Sequence, residues 1–425
     1  MGLAQNFMGS NNINLLYPSG QFGSRIKGGQ DASSPRYIFT RLEKITRVLF
    51  PEQDDSVLNY LDDDGFQVEP QYYVPIIPMV LVNGSMGIGT GFSTDIMCYH
   101  PLNIINYLKH KIQNPTELCE MDFVPYYEGF KGTIEKLSPT KFLFKGKYEK
   151  IDNDTIRVTE LPVGFWTQDF KNLLDTLQND KDDEGKKIVP LIRDKPFENY
   201  TDVSVDFVIP FTKGKVQELE SAKGEYGCNG LEKVLKLYST SSTTNMHLFD
   251  HEDKLKKYEK VEDIINDYFE IRIKHYVLRK AYIIREKEEE LVVLQNKARY
   301  IQEVLDGTID LRRLKQDEIH ALLQTKQYVM ISHDKDKDYK YLIKMPMDSV
   351  SIENVEHLLN VCKTTQHELD IIKSTSEKQM WLNELEVLEH EYKQFQIERN
   401  EAQCDVKIEK AVKQIKKEKA PKKGK

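Results

Sequence analysis

The sequence predicts an α+β protein, and two observations support this fold class. Short runs of alternating apolar and polar residues recur between residues 130 and 255, which is typical of half-buried strands. From about Glu262 onward, apolar residues instead recur at helical spacing through two long, charged stretches. We therefore expect small sheets in the middle of the chain and long helices after them.

The first hundred residues combine glycine-rich loops with short predicted elements. Leu3 to Phe7 resembles the end of a helix, and residues 18–29 form a predicted loop or short hairpin. A helix is predicted from about Arg36 to Pro51, because four apolar residues are three or four positions apart: Ile38, Leu42, Ile45 and Leu49. An extended apolar stretch, Tyr72 to Leu81, precedes a glycine cluster around Ile88.

The remaining helices and strands are predicted from the spacing of apolar residues and from the position of proline. An amphipathic helix is predicted over Pro101 to Gln113, with proline in its first turn. Four strands are predicted, at residues 132–135, 141–144, 155–158 and 203–208. Two long helices, about 262–305 and 374–404, flank an insert at about 308–370, which predicts an antiparallel coiled coil ending in a small domain. Residues Asp180 to Lys187 are a predicted charged loop.

Composition and charge exclude several classes of protein. No apolar run reaches the roughly 18 residues that a membrane-spanning helix needs. The five cysteines form no CxxC pair, so we expect free thiols in a reducing compartment and no zinc site. The net charge of -8 argues weakly against nucleic acid, yet the first fifty residues and the lysine-rich segment 407–425 are basic. Local patches, and not the total charge, decide whether a protein binds phosphate, so the net charge does not exclude a nucleic-acid partner.

The strongest local signal is one continuous motif, which reads Gly28-Gly29-Gln30-Asp31-Ala32-Ser33-Ser34-Pro35-Arg36-Tyr37-Ile38-Phe39-Thr40. It resembles the tyrosine motif of eukaryotic-type, type IIA DNA topoisomerases. Further segments resemble the same family at residues 2–12, 21–25, 73–81, 84–91, 130–134, 160–163 and 166–168. The resemblance covers most of residues 1–300, weakens in the insert and is absent in the lysine-rich tail.

The resemblance implies that Tyr37 is the nucleophile that attacks the DNA backbone. A phenol is suited to reversible cleavage, since its phosphate ester keeps the energy of the broken bond. The transition state gathers negative charge, and the neighbouring Arg36 is placed to supply a permanent positive charge. Without the resemblance, a tyrosine after Pro-Arg would be an ordinary surface or core residue.

Four further residues are candidate DNA contacts. The resemblance implies that Ile88 inserts between base pairs and bends the DNA, and the alternative is a buried isoleucine at a strand end. It also implies DNA contact by Trp166, for which the alternative is a core tryptophan. Arg25 and Lys27 precede the tyrosine and are candidates for phosphate contact, or else are solvated charges.

The resemblance also implies a domain order. Residues 1–95 would form a truncated winged-helix domain with the tyrosine and the DNA-bending loop, and 96–258 an α+β tower domain. Residues 259–405 would form the coiled coil with a small helical exit-gate domain inserted at about 308–370. Residues 406–425 would be a disordered tail, which either binds DNA, directs the protein to the nucleus or only increases solubility.

The family implies partners and cofactors for a complete enzyme that relaxes or decatenates double-stranded DNA. It implies a homodimer through the exit gate, and Mg²⁺ and ATP bound by modules that this sequence lacks. Those modules would be supplied by a longer chain or by a partner chain. The alternatives are a DNA-binding and dimerisation fragment that cannot cleave, and a plain coiled-coil scaffold. We expect the protein in the nucleus or at a viral or cytoplasmic replication site.

Overall fold

The computed structural model describes residues 1–117, 119, 121–179, 189–312, 314–333 and 336–418, without the side chains of 331–337, 347 and 403–418. The charged loop predicted at Asp180 to Lys187 lies outside the described residues. Elsewhere, helices accompany small antiparallel sheets, which confirms the α+β class. Contacts divide the chain into a first unit (1–51, 73–272 and 382–425) and a second unit (52–72 and 273–381).

The first hundred residues form short elements. In chain order they are β1 (Leu16–Ser19), β2 (Phe39–Leu42), α1 (Thr46–Leu49), α2 (Glu52–Asp55), β3 (Tyr60–Asp63), β4 (Phe66–Pro70), α3 (Met79–Asn83), β5 (Ser85–Gly89) and β6 (Phe92–Ile96). Three antiparallel pairs result, β1 with β2, β3 with β4 and β5 with β6. Of these elements, α2, β3 and β4 belong to the second unit.

The helix predicted from Arg36 to Pro51 is wrong over most of its length. Residues Pro35–Tyr37 form a 3-10 turn, and β2 then pairs with β1 so that Leu42 lies opposite Leu16. Ile38 has an extended backbone (φ -128°, ψ 156°), as β-branched residues favour. Phe39 and Leu42 are exposed, so the apolar spacing does not mark a buried helix face.

The middle of the chain contains helices and two larger sheets. The elements are α4 (Pro101–Gln113), β7 (Thr133–Ser138), β8 (Lys141–Lys145), β9 (Lys147–Lys150), β10 (Thr155–Glu160), α5 (Thr167–Gln178), β11 (Phe197–Glu198), β12 (Phe207–Pro210), α6 (Lys215–Ser221), α7 (Gly230–Val234), β13 (Tyr238–Ser242), β14 (Met246–Phe249) and β15 (Leu255–Tyr258). One sheet has the order β11-β12-β10-β9, another has the order β13-β8-β7, and β14 pairs with β15.

These elements confirm the predicted helix at Pro101–Gln113 and three of the four strands. The fourth, predicted from Val203, begins only at Phe207. The hydroxyl of Thr201 accepts hydrogen bonds from the amides of Val203 and Ser204 at 3.3 and 3.1 Å, which forms a local turn before the strand.

The core of the middle region lies between the four-stranded sheet and its helices. Fourteen buried apolar residues from β10, β12, α5, α6, α7 and the loops near them make up this cluster. Phe170 of α5 meets Phe207 of β12 edge to face, with ring centroids 5.2 Å apart. This packing fixes the end of β10, at Glu160, and the start of α5, just after Trp166.

Long helices dominate the last part of the chain. The elements are α8 (Val261–Leu305), α9 (Gln316–Thr325), β16 (Ile331–His333), β17 (Asp336–Asp338), α10 (Lys340–Ile343), α11 (Ile352–Ser374) and α12 (Glu377–Glu418). In the second unit, α8 runs antiparallel to α11. Lys280 donates to the carbonyl of Thr375, just after α11, at 2.8 Å, and further along α8 Lys287 pairs with Glu368, seven residues before Thr375, at 3.0 Å. A separate core there includes Tyr300, Leu323 and Tyr339.

The structure confirms the helix predicted at 262–305, and it confirms the second long helix with a slightly later start. This helix was predicted to begin at about Ser374, whereas α11 ends at Ser374 and α12 begins at Glu377. Thr375 is extended, and the hydroxyl of Ser376 accepts a hydrogen bond from the Gln379 amide at 3.2 Å, as a helix N-cap does. The backbone of α12 stays helical to Glu418, beyond the predicted start of disorder at residue 406, because no proline or glycine interrupts it before Pro421.

Candidate active site

Tyr37 is exposed at the end of a 3-10 turn. Its side chain is 68% accessible to solvent, and its amide donates to the carbonyl of Ser34 at 3.0 Å. The guanidinium carbon of Arg36 lies 4.9 Å from the centre of the Tyr37 ring. The turn therefore presents a free phenol and a permanent positive charge on the same piece of surface.

Hydrogen bonds at two places across the loop stabilise the segment that precedes this turn. The carboxylate of Asp31 accepts hydrogen bonds from the amide of Ser24 at 2.8 Å and from its hydroxyl at 2.5 Å. The amide of Ser33 donates to the carbonyl of Gln21 at 2.9 Å. Burial alone would raise the pKa of Asp31, but the hydrogen bonds from Ser24 and Gln21 stabilise its carboxylate and leave the pKa below its ordinary value.

The strand after the turn, β2, is held in place by its contacts with β1. In β2, Arg41 lies with its guanidinium 4.5 Å from the ring centre of Tyr17 on β1, and the hydroxyl of Thr40 donates to the Tyr17 carbonyl at 2.9 Å. The amide of Glu43 continues the pairing by donating to Leu15 at 3.0 Å. Tyr37 thus lies between a closed loop and a paired strand.

The hairpin of β5 and β6 exposes two apolar side chains. Ile88 is 95% exposed and Met86 is 86% exposed, so the alternative of a buried strand-end isoleucine is wrong. Thr90 and Gly91 form the two-residue turn, where Gly91 has a positive φ of 87°. Next to this turn, Phe92 packs against Phe249 and Ser93 accepts a hydrogen bond from Asn245 at 2.9 Å.

A family model that describes the A-type chains of DNA gyrase and topoisomerase IV matches residues 1–386. The chain belongs to this family. It is 38% identical, over 98% of its length, to DNA topoisomerase 2 of Arabidopsis thaliana, and 37% identical, over 93%, to DNA topoisomerase 2-alpha of Homo sapiens. The chain spans only 30% and 27% of the lengths of these two relatives.

A solved structure gives the same result for the fold. The crystal structure of the Plasmodium falciparum topoisomerase II DNA-binding, cleavage and re-ligation domain resembles this chain with a TM-score of 0.85 at 38% sequence identity. The similar region covers 95% of this chain and 55% of that chain. At this identity, the topoisomerase resemblance found in the sequence is confirmed.

Arg25 of this gyrase/topoisomerase family member is not placed to contact phosphate, which corrects the prediction. Its side chain is 3% exposed and forms an ion pair with Glu160, whose side chain is 1% exposed. Glu160 also accepts hydrogen bonds from the amides of Lys131 at 3.1 Å and Leu161 at 2.9 Å. The charge of Arg25 is therefore used inside the protein, since a buried charge needs such a partner.

Trp166 also packs inside the first unit. The ring is half-buried and meets Phe7 edge to face with centroids 5.9 Å apart. Gly28 lies against the indole so closely that an added Cβ would be 2.3 Å from a ring carbon. The geometry favours the packing alternative for Trp166. Lys27, by contrast, is exposed next to this contact.

Two buried charged groups that join distant segments of the first unit have no signal in the local sequence. Arg399 on α12 donates to the carbonyls of Asn6, Asn11 and Asn12 at 2.6, 3.2 and 2.9 Å. Glu128 accepts hydrogen bonds from the hydroxyls of Tyr126 and Tyr392 at 2.8 and 3.1 Å. Such contacts join distant segments, so no local spacing reveals them.

The described residues offer neither a metal cluster nor a membrane span. Within them, no group of three or more His, Cys, Asp and Glu side chains is arranged to hold a metal ion. None of the described helices combines the length and apolar character of a bilayer span.

Proposed function

We propose that this chain is the DNA breakage–reunion part of an ATP-dependent type IIA topoisomerase. The observation that carries the proposal is the exposed Tyr37 phenol beside the Arg36 guanidinium, 4.9 Å from its ring centre. It stands in a chain that is 38% identical, over 98% of its length, to a DNA topoisomerase 2. The complete enzyme would cut both strands, pass a second duplex through the break and thereby relax or decatenate DNA.

Cleavage is a direct phosphoryl transfer to Tyr37. The phenol loses its proton, and its oxygen forms a bond to phosphorus while the bond from phosphorus to the 3′ oxygen breaks. The 3′ oxygen gains a proton, and the 5′ end remains attached as a phosphotyrosine ester. Attack by the 3′-hydroxyl reverses every step, because the ester conserves the energy of the original bond.

Arg36 supplies the charge that this reaction requires. Negative charge gathers on the non-bridging oxygens in the transition state, and a planar guanidinium can donate two hydrogen bonds to them. Because the turn already holds Arg36 next to the phenol, little reorganisation is needed when DNA binds.

Ile88 and Lys27 have supporting roles in DNA binding. An apolar side chain that is 95% exposed at a hairpin tip can insert between base pairs and kink the duplex. The exposed Lys27 can contact a backbone phosphate without reading sequence. Arg25 and Trp166 have no part in DNA contact in this proposal.

The architecture and partners of the complete enzyme belong to the same proposal. Residues 1–95 would be a partial winged-helix domain, 96–258 a tower domain, and 259–405 a coiled coil with the exit gate. The protein would act as a homodimer, with one Tyr37 for each strand and an isologous exit-gate interface. Mg²⁺ and ATP would be bound by modules outside this chain, and the enzyme would act in the nucleus or at a viral or cytoplasmic replication site.

The substitution Tyr37→Phe tests the nucleophile. In the complete enzyme we expect this variant to form no covalent protein–DNA adduct after denaturation, with unchanged affinity for the duplex, because only the attacking oxygen is removed. The matched control is Tyr17→Phe on β1, which is also exposed and should leave adduct formation intact. Adducts that persist in Tyr37→Phe would overturn the proposal.

A further inference from the structure

We infer that a buried clasp positions the loop of the attacking tyrosine. We define the clasp by its members, the loop residues Arg25, Ile26 and Gly28 and the supporting residues Glu160, Trp166 and Gln168. The inference rests on the proposed function of Tyr37. The clasp residues are positioning residues, since none of them needs to touch DNA.

The ion pair at the centre of the clasp is fully enclosed. Arg25 and Glu160 are both buried, and they are 135 residues apart in the sequence. Both carboxylate oxygens of Glu160 are occupied, one by Arg25 and the Leu161 amide and the other by the Lys131 amide. Because this carboxylate is fixed by the end of β10, it fixes Arg25 in turn.

Backbone hydrogen bonds extend the clasp on both sides of the ion pair. The amide of Gln168, in the first turn of α5, donates to the carbonyl of Ile26 at 2.9 Å. The first amides of a helix have no intrahelical acceptor. The carbonyl of Ile26 accepts from one of them, and this hydrogen bond holds the loop against the start of α5. The amide of Arg25 donates to the carbonyl of Asp202 at 3.2 Å.

Close packing of Gly28 against Trp166 fixes the distance between the loop and the indole ring. Gly28 has φ +59°, in the region that favours glycine, and a Cβ at this position would lie 2.3 to 2.8 Å from three indole atoms. The far edge of the indole lies against Gly9, where a Cβ would be 3.2 Å away. The tryptophan is thus a fixed surface on which the glycine rests.

A short segment that is closed by hydrogen bonds connects the clasp to Tyr37. From Gly28 the chain reaches Asp31, whose carboxylate bonds back to Ser24, and then Ser33, whose amide bonds back to Gln21. The turn of Tyr37 begins two residues later, at Pro35. A shift of the clasp therefore shifts the phenol relative to the scissile phosphate.

The test measures cleavage chemistry separately from DNA binding, in the complete enzyme. The substrate duplex carries sulfur in place of the bridging 3′ oxygen at the cut site, so the thiolate that leaves religates poorly. Single-turnover adduct formation is measured at saturating DNA, and the dissociation constant by titration. For Glu160→Gln we expect the rate to fall by about ten- to a hundredfold, with unchanged affinity, because small misplacements of reacting groups cost this much.

Gly28→Ala provides a second, independent variant. It leaves the ion pair intact and displaces the loop because the added methyl group would collide with Trp166. It should therefore also slow adduct formation without weakening DNA binding. It decides the question if Glu160→Gln fails to fold. The matched control is Asp206→Asn, which breaks a partly exposed ion pair with Arg157 on the same sheet and should change neither quantity.

The outcomes separate the clasp from the proposed function. If the unsubstituted enzyme forms no adduct, or forms one without Tyr37, the proposed function fails. If adducts depend on Tyr37 but Gly28→Ala and every folded Glu160→Gln enzyme cleave at the normal rate, the clasp alone is overturned. Equal losses in rate and affinity would also overturn it, because they indicate a general disturbance of the fold.

Discussion

Tyr37 and Arg36 show how a local turn combines two chemical groups. A 3-10 turn of Pro35, Arg36 and Tyr37 leaves both side chains in solvent, and the guanidinium carbon lies 4.9 Å from the ring centre. Neither group is used in internal packing. Exposed functional groups on a well-anchored loop are what a reaction with a large substrate requires.

Replacing Arg36 by lysine tests whether charge alone is enough. Lysine keeps the positive charge but loses the planar pair of donors, so we expect Arg36→Lys to slow single-turnover adduct formation by about a hundredfold, as loss of a transition-state donor does. The control is Arg41→Lys, whose guanidinium lies 4.5 Å from the Tyr17 ring centre on the adjacent strand. Equal rates for the two variants would show that Arg36 acts only as a point charge.

The candidate site was only partly predictable from single residues. Arg36 and the proposed nucleophile Tyr37 are contiguous, so one motif contains both, and the family resemblance around Ile88 implied an exposed side chain. Arg25 looks the same in sequence as Lys27, yet Arg25 is buried and Lys27 is exposed. The difference is made by Glu160, a partner 135 residues away that local sequence cannot identify.

At the scale of elements, the longest and most regular patterns were predicted best. Both α4 and α8 begin and end within one residue of the prediction, because a sustained apolar period and, in α4, a proline in the first turn leave few alternatives. The strand β2 was missed, since its pairing with β1 overrides a chance helical spacing. The start of α12 was predicted about three residues early, at Ser374 instead of Glu377, because its signal is one capping serine, Ser376.

The β5–β6 hairpin is the element whose proposed role in DNA bending is most directly testable. We expect Ile88→Ala to reduce the bend of bound DNA, because the inserted side chain is what separates the base pairs, and to slow cleavage about tenfold through misplacement of the phosphate. The bend is measured by energy transfer between dyes at the two ends of a short duplex. Val68→Ala, on the exposed hairpin strand β4, is the control. A full bend with Ile88→Ala would exclude the wedge.

For the whole molecule, the distribution of charge matters more than its sum. The chain carries a net charge of -8, but its first fifty residues contain six basic and two acidic side chains. All of these basic side chains except Arg25 are exposed: Lys27, Arg36, Arg41, Lys44 and Arg47. An acidic protein can therefore bind a polyanion through one patch, while the remaining negative charge discourages contact elsewhere.

The salt dependence of DNA binding tests this patch. Each phosphate that a cation neutralises releases counterions, so affinity should fall with salt, and Lys27→Ala and Arg41→Ala should each lower the slope of log affinity against log salt by about one. Anisotropy titrations of a labelled duplex at several KCl concentrations measure the slope. Lys274→Ala, an exposed lysine on α8 in the second unit, is the control. If that control lowers the slope as much as Lys27→Ala does, binding follows total charge, and the basic patch around Tyr37 has no special part in it.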